Sequence, residues 1–171
     1  MKPKLLLLTL LLAVPTIIFS QEPTKTETQD FIKSKLSYSE FDVFRNSLNH
    51  TRRYEFDANC KLIIYNEFDE NSSDRLAHIK TKVTIDVADI ADVVEENGML
   101  TVNFKSNSKQ DYNLHTNLST QHTEVTQNTF VNFHTFIFDS LTSQETIARL
   151  AKAFKHLSKL CGNKSNFDLF K

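Results

Sequence analysis

IKTKVTIDV, residues 79–87, alternates two kinds of side chain along its whole length. Ile, Thr and Val occupy the odd-numbered positions, and Lys, Thr and Asp occupy the even-numbered positions. Successive side chains of a β-strand point to opposite faces of a sheet, so this pattern predicts a strand with one buried and one solvated face. Antiparallel sheets tolerate solvent on one side, and we therefore expect antiparallel sheet to dominate the fold.

Shorter alternating runs flank this strand on both sides. The pair Asn97-Gly98 between two of them is the strongest hairpin signal in the chain, because both residues tolerate the positive φ of a tight turn. Residues 118–128 are polar and are interpreted as a loop. We expect about seven strands in meander order, at residues 53–56, 60–68, 79–87, 90–95, 100–104, 112–116 and 129–138.

Two helices are predicted, a short one before the strands and a long amphipathic one after them. Two residue pairs have the spacing of a capping box, Thr24 with Glu27 and Thr142 with Glu145. In a capping box the side chain of each residue accepts a hydrogen bond from the backbone N–H of the other residue. Gly162 lies where a glycine often ends a helix. The expected apolar faces are Phe31, Ile32 and Leu36 in the first helix, and Ile147, Leu150, Ala151, Phe154, Leu157 and Cys161 in the second.

The N-terminus has the layout of a secretory signal peptide. Lys2 and Lys4 precede an apolar stretch at residues 5–19, which is shorter than the about 20 apolar residues of a transmembrane helix. Cleavage after Ser20 would leave no transmembrane anchor and place the protein in the periplasm or outside the cell; an uncleaved anchor is the alternative. The predicted organisation is a signal peptide at 1–20, a flexible polar segment at 21–29, a single α+β domain at 30–162 and a tail at 163–171.

The chain has two cysteines, Cys60 and Cys161. Alternation places Cys60 on the apolar face of its strand, and the helical period places Cys161 on the apolar stripe of the last helix. Exported proteins mature where disulfides persist, so an even cysteine count favours one bridge between the two. Two buried free thiols are the alternative.

The final strand followed by a capped helix resembles the pleckstrin-homology-like sandwich, in which a C-terminal helix closes one end of the sheet. The chain also resembles small exported bacterial proteins of uncharacterised function, through Phe19-Ser20-Gln21, Cys60 and the segment from Leu157 to Gly162. These resemblances imply a PH-like fold and export. They imply no activity, and without a lipid-phosphate signature they do not imply phosphoinositide binding.

Composition and motifs argue against several classes of function. After signal removal, 151 residues with 18 basic and 21 acidic side chains remain, a balance that disfavours nucleic acid as the main partner. Gly98 and Gly162 are the only glycines, too few for a phosphate-binding loop, and no serine lies in a nucleophile elbow. We identify no catalytic residue and no cofactor.

Three histidines are candidate metal ligands. His115, His122 and His134 lie in the second half of the sheet region, but their spacing matches no metal motif. A histidine at the edge of the core is the simpler interpretation of His134, and no metal site is predicted. The paired carboxylates Glu95 and Glu96 are interpreted as solvating a hairpin tip.

The last helix carries a basic stripe that also includes His156. Its members are candidate contacts to an anionic surface, although cations near a helix C-terminus also complement the helix dipole and then need no partner. Thirteen phenylalanines follow the signal peptide and either fill the core or line an apolar cavity. The candidate anionic-surface contacts are Arg149, Lys152, Lys155 and Lys159.

Taken together, the sequence favours an exported, non-enzymatic domain that binds another macromolecule or has an envelope-associated role. Its partner is expected to be a protein or an envelope component rather than nucleic acid. A carrier of a small apolar ligand, held between the sheet and the last helix, is the alternative. A hydrolase with a cryptic site is the third hypothesis.

Overall fold

The computed structural model describes most of the chain between Glu22 and Asn163. The predicted signal peptide and its cleavage site lie outside the described residues, and so do residues 164–171 of the predicted tail. The described ranges are 22–37, 39–40, 47–72, 75–106, 109–117, 122–138 and 141–163.

These ranges contain two α-helices and nine strands, where the sequence predicted about seven strands. A 3-10 turn at Val87–Asp89 separates the fourth strand from the fifth. In chain order the elements are α1 (Lys25–Leu36), β1 (Ser39–Glu40), β2 (Ser47–Phe56), β3 (Lys61–Ser72), β4 (Arg75–Asp86), β5 (Ile90–Glu96), β6 (Met99–Phe104), β7 (Lys109–Asn117), β8 (His122–Val131), β9 (Phe133–Phe138) and α2 (Gln144–Leu160).

The strands form two antiparallel sheets, so the expected α+β class is confirmed. One sheet has the order β2-β3-β4-β7-β8, and the other has the order β1-β9-β6-β5. The expected meander is wrong, because the β5–β6 hairpin leaves the first sheet and β4 pairs with β7 instead. The change of sheet occurs at Val87–Asp89, where the Asp86 side chain accepts a hydrogen bond from the Ala88 N–H and turns the chain.

The aromatic run at 129–138 is not one strand. It divides at Asn132, with β8 ending at Val131 in one sheet and β9 beginning at Phe133 in the other. The Asn132 carbonyl accepts a 2.7 Å hydrogen bond from the Phe104 N–H, which positions the crossing point. The predicted loop at 118–128 is also wrong from residue 122 onward, because β8 begins there and pairs with β7.

The first helix begins earlier than predicted. Thr24 and Glu27 form the predicted capping box, with the Glu27 carboxylate accepting hydrogen bonds from the Thr24 N–H at 2.8 Å and its hydroxyl at 2.7 Å. Helix α1 therefore starts at Lys25, and the flexible segment predicted at 21–29 is wrong for residues 25–29. Thr28, Ile32 and Leu36 form its buried face.

The second helix is capped one residue later than the sequence suggested. Ser143, rather than Thr142, is the N-cap, and its Oγ accepts a hydrogen bond from the Thr146 N–H at 3.2 Å. Gly162 has the positive φ expected of a glycine that ends a helix. Neither helix in the described part of the chain is long and apolar enough to cross a membrane.

Helix α2 closes a core that both sheets share. Leu150, Phe154 and Leu157 are fully buried, and the Phe154 ring stacks 5.9 Å from that of Phe136 in β9. The buried apolar members of the core are Ile32, Leu36, Leu62, Ile64, Val83, Ile85, Val87, Ile90, Val93, Leu100, Val102, Phe104, Phe136, Phe138, Ile147, Leu150, Ala151, Phe154 and Leu157.

Asn163 extends the domain beyond its predicted end at 162. Its buried amide donates hydrogen bonds of 2.6 Å to the Ile90 carbonyl and to Ser158 Oγ, and its carbonyl oxygen accepts from Lys105 Nζ. A buried amide needs such partners, because desolvation without them costs about 1–3 kcal/mol. Asn163 therefore belongs to the domain and not to a tail.

Candidate functional site

Cys60 and Cys161 form a disulfide that joins the turn between β2 and β3 to the end of α2. Their Cα atoms are 5.9 Å apart, and 101 residues separate them in the chain. Asp57 shapes the turn, since its carboxylate accepts hydrogen bonds from the Asn59 N–H at 2.9 Å and the Lys61 N–H at 2.7 Å. Because both sulfur atoms are in the disulfide, these cysteines have a structural role and provide no nucleophilic thiol.

The predicted basic stripe divides into two pairs with different surroundings. Lys155 Nζ lies 3.4 Å from Asp92 Oδ1 of β5, and Lys159 is half-buried. Arg149 and Lys152 are exposed and face α1. Neither Arg149 nor Lys152 forms an ion pair with any residue whose position the structure describes. Two of the four predicted cations are therefore not engaged in an ion pair with the described residues.

Arg149 and Lys152 line a surface groove between α1 and α2, which has a volume of about 460 Å³. Phe31 and Ala153 provide apolar surface within it, and Thr28 is buried at its side. The full lining is Glu22, Pro23, Glu27, Thr28, Phe31, Arg149, Lys152, Ala153 and His156. We refer to this feature as the helix groove and treat it as the candidate functional site.

The Phe31 ring organises one wall of the helix groove. The Arg149 guanidinium carbon lies 5.5 Å from the ring centroid, and Lys35 Nζ lies 5.9 Å from it. A cation over an aromatic face is held by the ring quadrupole, at about 0.5–1 kcal/mol for an exposed pair. The ring thus positions the guanidinium beside the groove without neutralising its charge.

The helix groove also contains two carboxylates, those of Glu22 and Glu27, and neither forms an ion pair with Arg149 or Lys152. The carboxylate of Glu27 is occupied by the capping box, and the hydrogen bonds that Thr24 donates lower the pKa of Glu27. At the other end, His156 Nε2 lies 2.8 Å from the Pro23 carbonyl and ties α2 to the segment before α1. The groove consequently combines an apolar surface with two cations that form no ion pair among the described residues and two carboxylates, of which that of Glu27 is held in the capping box.

The sequence predicted the cations of the helix groove but missed its apolar wall. The helical period predicts that Phe31 lies on the buried face of α1, but its side chain is half-exposed. Thr28, Ile32 and Leu36 follow one another at four-residue intervals, and this spacing could have identified the buried stripe, with Phe31 at its edge. Nothing in the sequence indicates that α1 packs against α2.

The candidate histidines lie on different sheets. His134 is buried in β9 of the four-stranded sheet, with its ring 4.5 Å from that of Phe136 in an edge-to-face contact. His115 lies in β7 and His122 in β8 of the five-stranded sheet. In the part of the chain that the structure describes, no group of three or more His, Cys, Asp or Glu residues is arranged to hold a metal ion.

A charged cluster on the outer face of the five-stranded sheet was not predicted. His78 Nδ1 lies 2.6 Å from Asp69 Oδ1, and His78 Nε2 lies 2.8 Å from Glu67 Oε1. Lys80 Nζ lies 2.9 Å from the same Glu67 oxygen. The hydrogen bonds to Asp69 and then Glu67 raise the pKa of His78, while those from Lys80 and then His78 lower the pKa of Glu67.

Three hydrogen-bonded polar side chains lie on the inner face of the same sheet and were also missed. Arg52 Nε donates a 2.7 Å hydrogen bond to Asn66 Oδ1, and Asn66 Nδ2 donates one of 2.9 Å to Thr81 Oγ1. Alternation had placed Thr81 on an otherwise apolar face, and only the strand register aligns its partners.

Comparison with known proteins identifies no relative. No family model matches the chain, and no curated protein or solved structure is significantly similar to it.

Proposed function

We propose that this chain is an exported, non-enzymatic domain that binds an acidic, partly apolar segment of another protein in the helix groove. The observation that carries the proposal is the pairing of an apolar wall at Phe31 and Ala153 with two cations that lack an acidic partner among the described residues. An acidic segment would gain charge-assisted contacts there and bury apolar surface at the same time.

The polar groups of the groove suit binding better than catalysis. The lining contains a single hydroxyl, that of Thr28, which already donates a 2.8 Å hydrogen bond to the Thr24 carbonyl. Nucleophilic catalysis needs a hydroxyl or thiol within reach of a base, and Thr28 makes no such pair with His156. No arrangement within the described ranges favours the hydrolase hypothesis.

Export is part of the same proposal. The Cys60–Cys161 bridge supports it, because structural disulfides persist in oxidising compartments and are rare in a reducing cytosol. We also propose that the fold is PH-like. This proposal is supported by a C-terminal helix that closes two antiparallel sheets, although the transfer of β5–β6 between the sheets departs from a simple meander.

The test is fluorescence anisotropy with a labelled peptide of alternating glutamate and leucine, using the oxidised protein. We expect the double variant Arg149→Ala, Lys152→Ala to weaken binding by about tenfold or more, since two charge-assisted contacts are lost. The matched control is Lys155→Ala, Lys159→Ala, which removes the same charge from positions of α2 that do not line the groove and should bind normally. Equal losses in the two variants, or equal binding of a lysine–leucine peptide, would contradict the proposal.

A carrier of a small apolar ligand is the second candidate, because the groove volume of about 460 Å³ lies within the range of small-molecule sites. The predicted location between sheet and helix is closely packed, with Phe154 and Leu157 fully buried. A ligand would therefore occupy the helix groove. If dodecanoate displaces the acidic peptide and binds with higher affinity than the peptide, the carrier function is favoured over protein binding.

A further inference from the structure

The end of the β5–β6 hairpin carries exposed carboxylates and exposed apolar side chains. Glu95 and Glu96 are exposed at its end and form no ion pair within the described residues. Val94 and Met99 beside them are 44 % and 37 % exposed. The tip is therefore both acidic and apolar.

The hairpin is also held in one conformation. Asn97 and Gly98 have φ of 51° and 78°, as a type I′ turn requires. The Phe138 N–H of β9 donates a 3.0 Å hydrogen bond to the Gly98 carbonyl, which fixes the tip against the neighbouring strand. A pre-ordered segment loses little conformational entropy when it binds, so it is a better ligand than a flexible loop.

We infer that the segment held by the helix groove is the β5–β6 hairpin of a second copy of this chain. The inference rests on the proposed function of the groove and names its partner. Glu96 and Met99 are register partners and share one face of the hairpin, so Glu96 would meet Arg149 or Lys152 while Met99 lies against the apolar wall. Glu95, on the opposite face, would add negative charge at the edge of the contact. Cations of the groove that form no ion pair among the described residues would thereby meet carboxylates of the hairpin that form none.

The two surfaces lie on different elements of the chain. The groove is formed by α1 and α2, whereas the hairpin belongs to the four-stranded sheet. Their contact either forms twice, reciprocally, in a two-fold dimer, or forms head to tail and produces closed rings or open chains. Association should weaken as ionic strength rises, because exposed charges contribute to it.

The experiment is sedimentation velocity of the oxidised full chain at increasing protein concentration. The wild type should show concentration-dependent association. Glu95→Lys, Glu96→Lys and, separately, Arg149→Glu, Lys152→Glu should each reduce it by about tenfold or more, because like charges then meet. Mixing the two variants should restore association, since each then offers the surface that the other needs.

A wild type that stays monomeric throughout the concentration series overturns the inference, and so does association that both charge reversals leave unchanged. Loss in both variants without recovery on mixing also overturns it. The peptide assay separates this failure from that of the proposed function. A monomeric protein that still binds the acidic peptide in the groove has the proposed function with a different partner.

Discussion

The inner face of the five-stranded sheet has two halves that alternate in the same way but pack differently. At its base, Leu62 pairs with Ile85, and both are fully buried in the core shared with the helices. In its distal half, Phe68 pairs with Ile79 along the same two strands, and these residues form a separate cluster. Equal alternation therefore does not imply equal packing.

The boundary between the halves is polar. Asn66 and Thr81 are register partners at this point, and Arg52 donates to Asn66 from the neighbouring strand. Hydrogen bonds between these buried polar groups offset the free-energy cost of removing them from water. They contribute no apolar contact to the base or to the distal half of the sheet. The halves should consequently differ in stability, and four predictions test how far they do.

The largest effect is expected from Cys60→Ser with Cys161→Ser, because the bridge connects the base of the sheet to α2. Closing a loop of about 100 residues is worth about 4.7 kcal/mol in the chain-entropy model. We expect urea unfolding of the variant to show a loss of about this size. Hydrogen exchange should accelerate first in α2 and the base, and a loss confined to the distal half would contradict the comparison.

Ile85→Ala and Ile79→Ala form a matched pair, since both remove the same side chain from the same face of β4. Ile85 lies in the main core, whereas Ile79 clusters with Phe68 alone among the residues whose side chains the structure describes. We expect losses of about 4 kcal/mol for Ile85 and about 2 kcal/mol for Ile79, within the usual range for such truncations. Equal losses in urea unfolding would show that the halves are equally well packed.

Asn66→Ala tests the polar boundary itself. The amide is 4 % exposed and bridges Arg52 and Thr81, so its removal leaves two polar groups without this partner. The expected loss in the free energy of unfolding is about 2 kcal/mol. Thr81→Val is the milder control, because it removes one hydroxyl while keeping the shape, and a larger loss for this variant would argue against the role of Asn66.

The smallest effect concerns His78 on the outer face. Its pKa is raised mainly by the hydrogen bond to Asp69, so the stabilisation is complete below the ordinary value of 6.5 and is lost as pH rises through the raised value. The pKa of Glu67 is lowered mainly by Lys80, and that contribution is lost as pH falls below 4.5.

Urea unfolding at pH 5.5 and pH 8.5 tests the histidine. The wild type should lose less than about 1 kcal/mol relative to His78→Gln across this range, because the pair is partly exposed to solvent. A difference that stays constant between the two pH values would mean that His78 contributes no titrating interaction.

The candidate site was predictable only in part, and for a physical reason that the basic stripe illustrates. Helical period placed Arg149, Lys152 and Lys155 on one exposed side of α2, and that side is indeed polar. Arg149 and Lys152 line the groove, whereas Lys155 pairs with Asp92, and this difference depends on which element lies opposite each residue. That information resides in contacts with α1 and β5, far away in the chain.

The sequence by itself determined what neighbouring residues can decide. Alternation identified the strand at 79–87, helical period identified α2, and the spacing of Thr24 and Glu27 identified a capping box, although the residues after Thr24 were predicted to be flexible. These features depend on side chains a few residues apart, which share a face or a terminus.

Tertiary structure alone decided the partition of strands between two sheets, the division of 129–138 at Asn132 and the helix groove. Each depends on which distant segments pair or pack, and many pairings satisfy the same local alternation. The choice among them is made by the total apolar surface and the total hydrogen bonding of the folded chain, which no local period records.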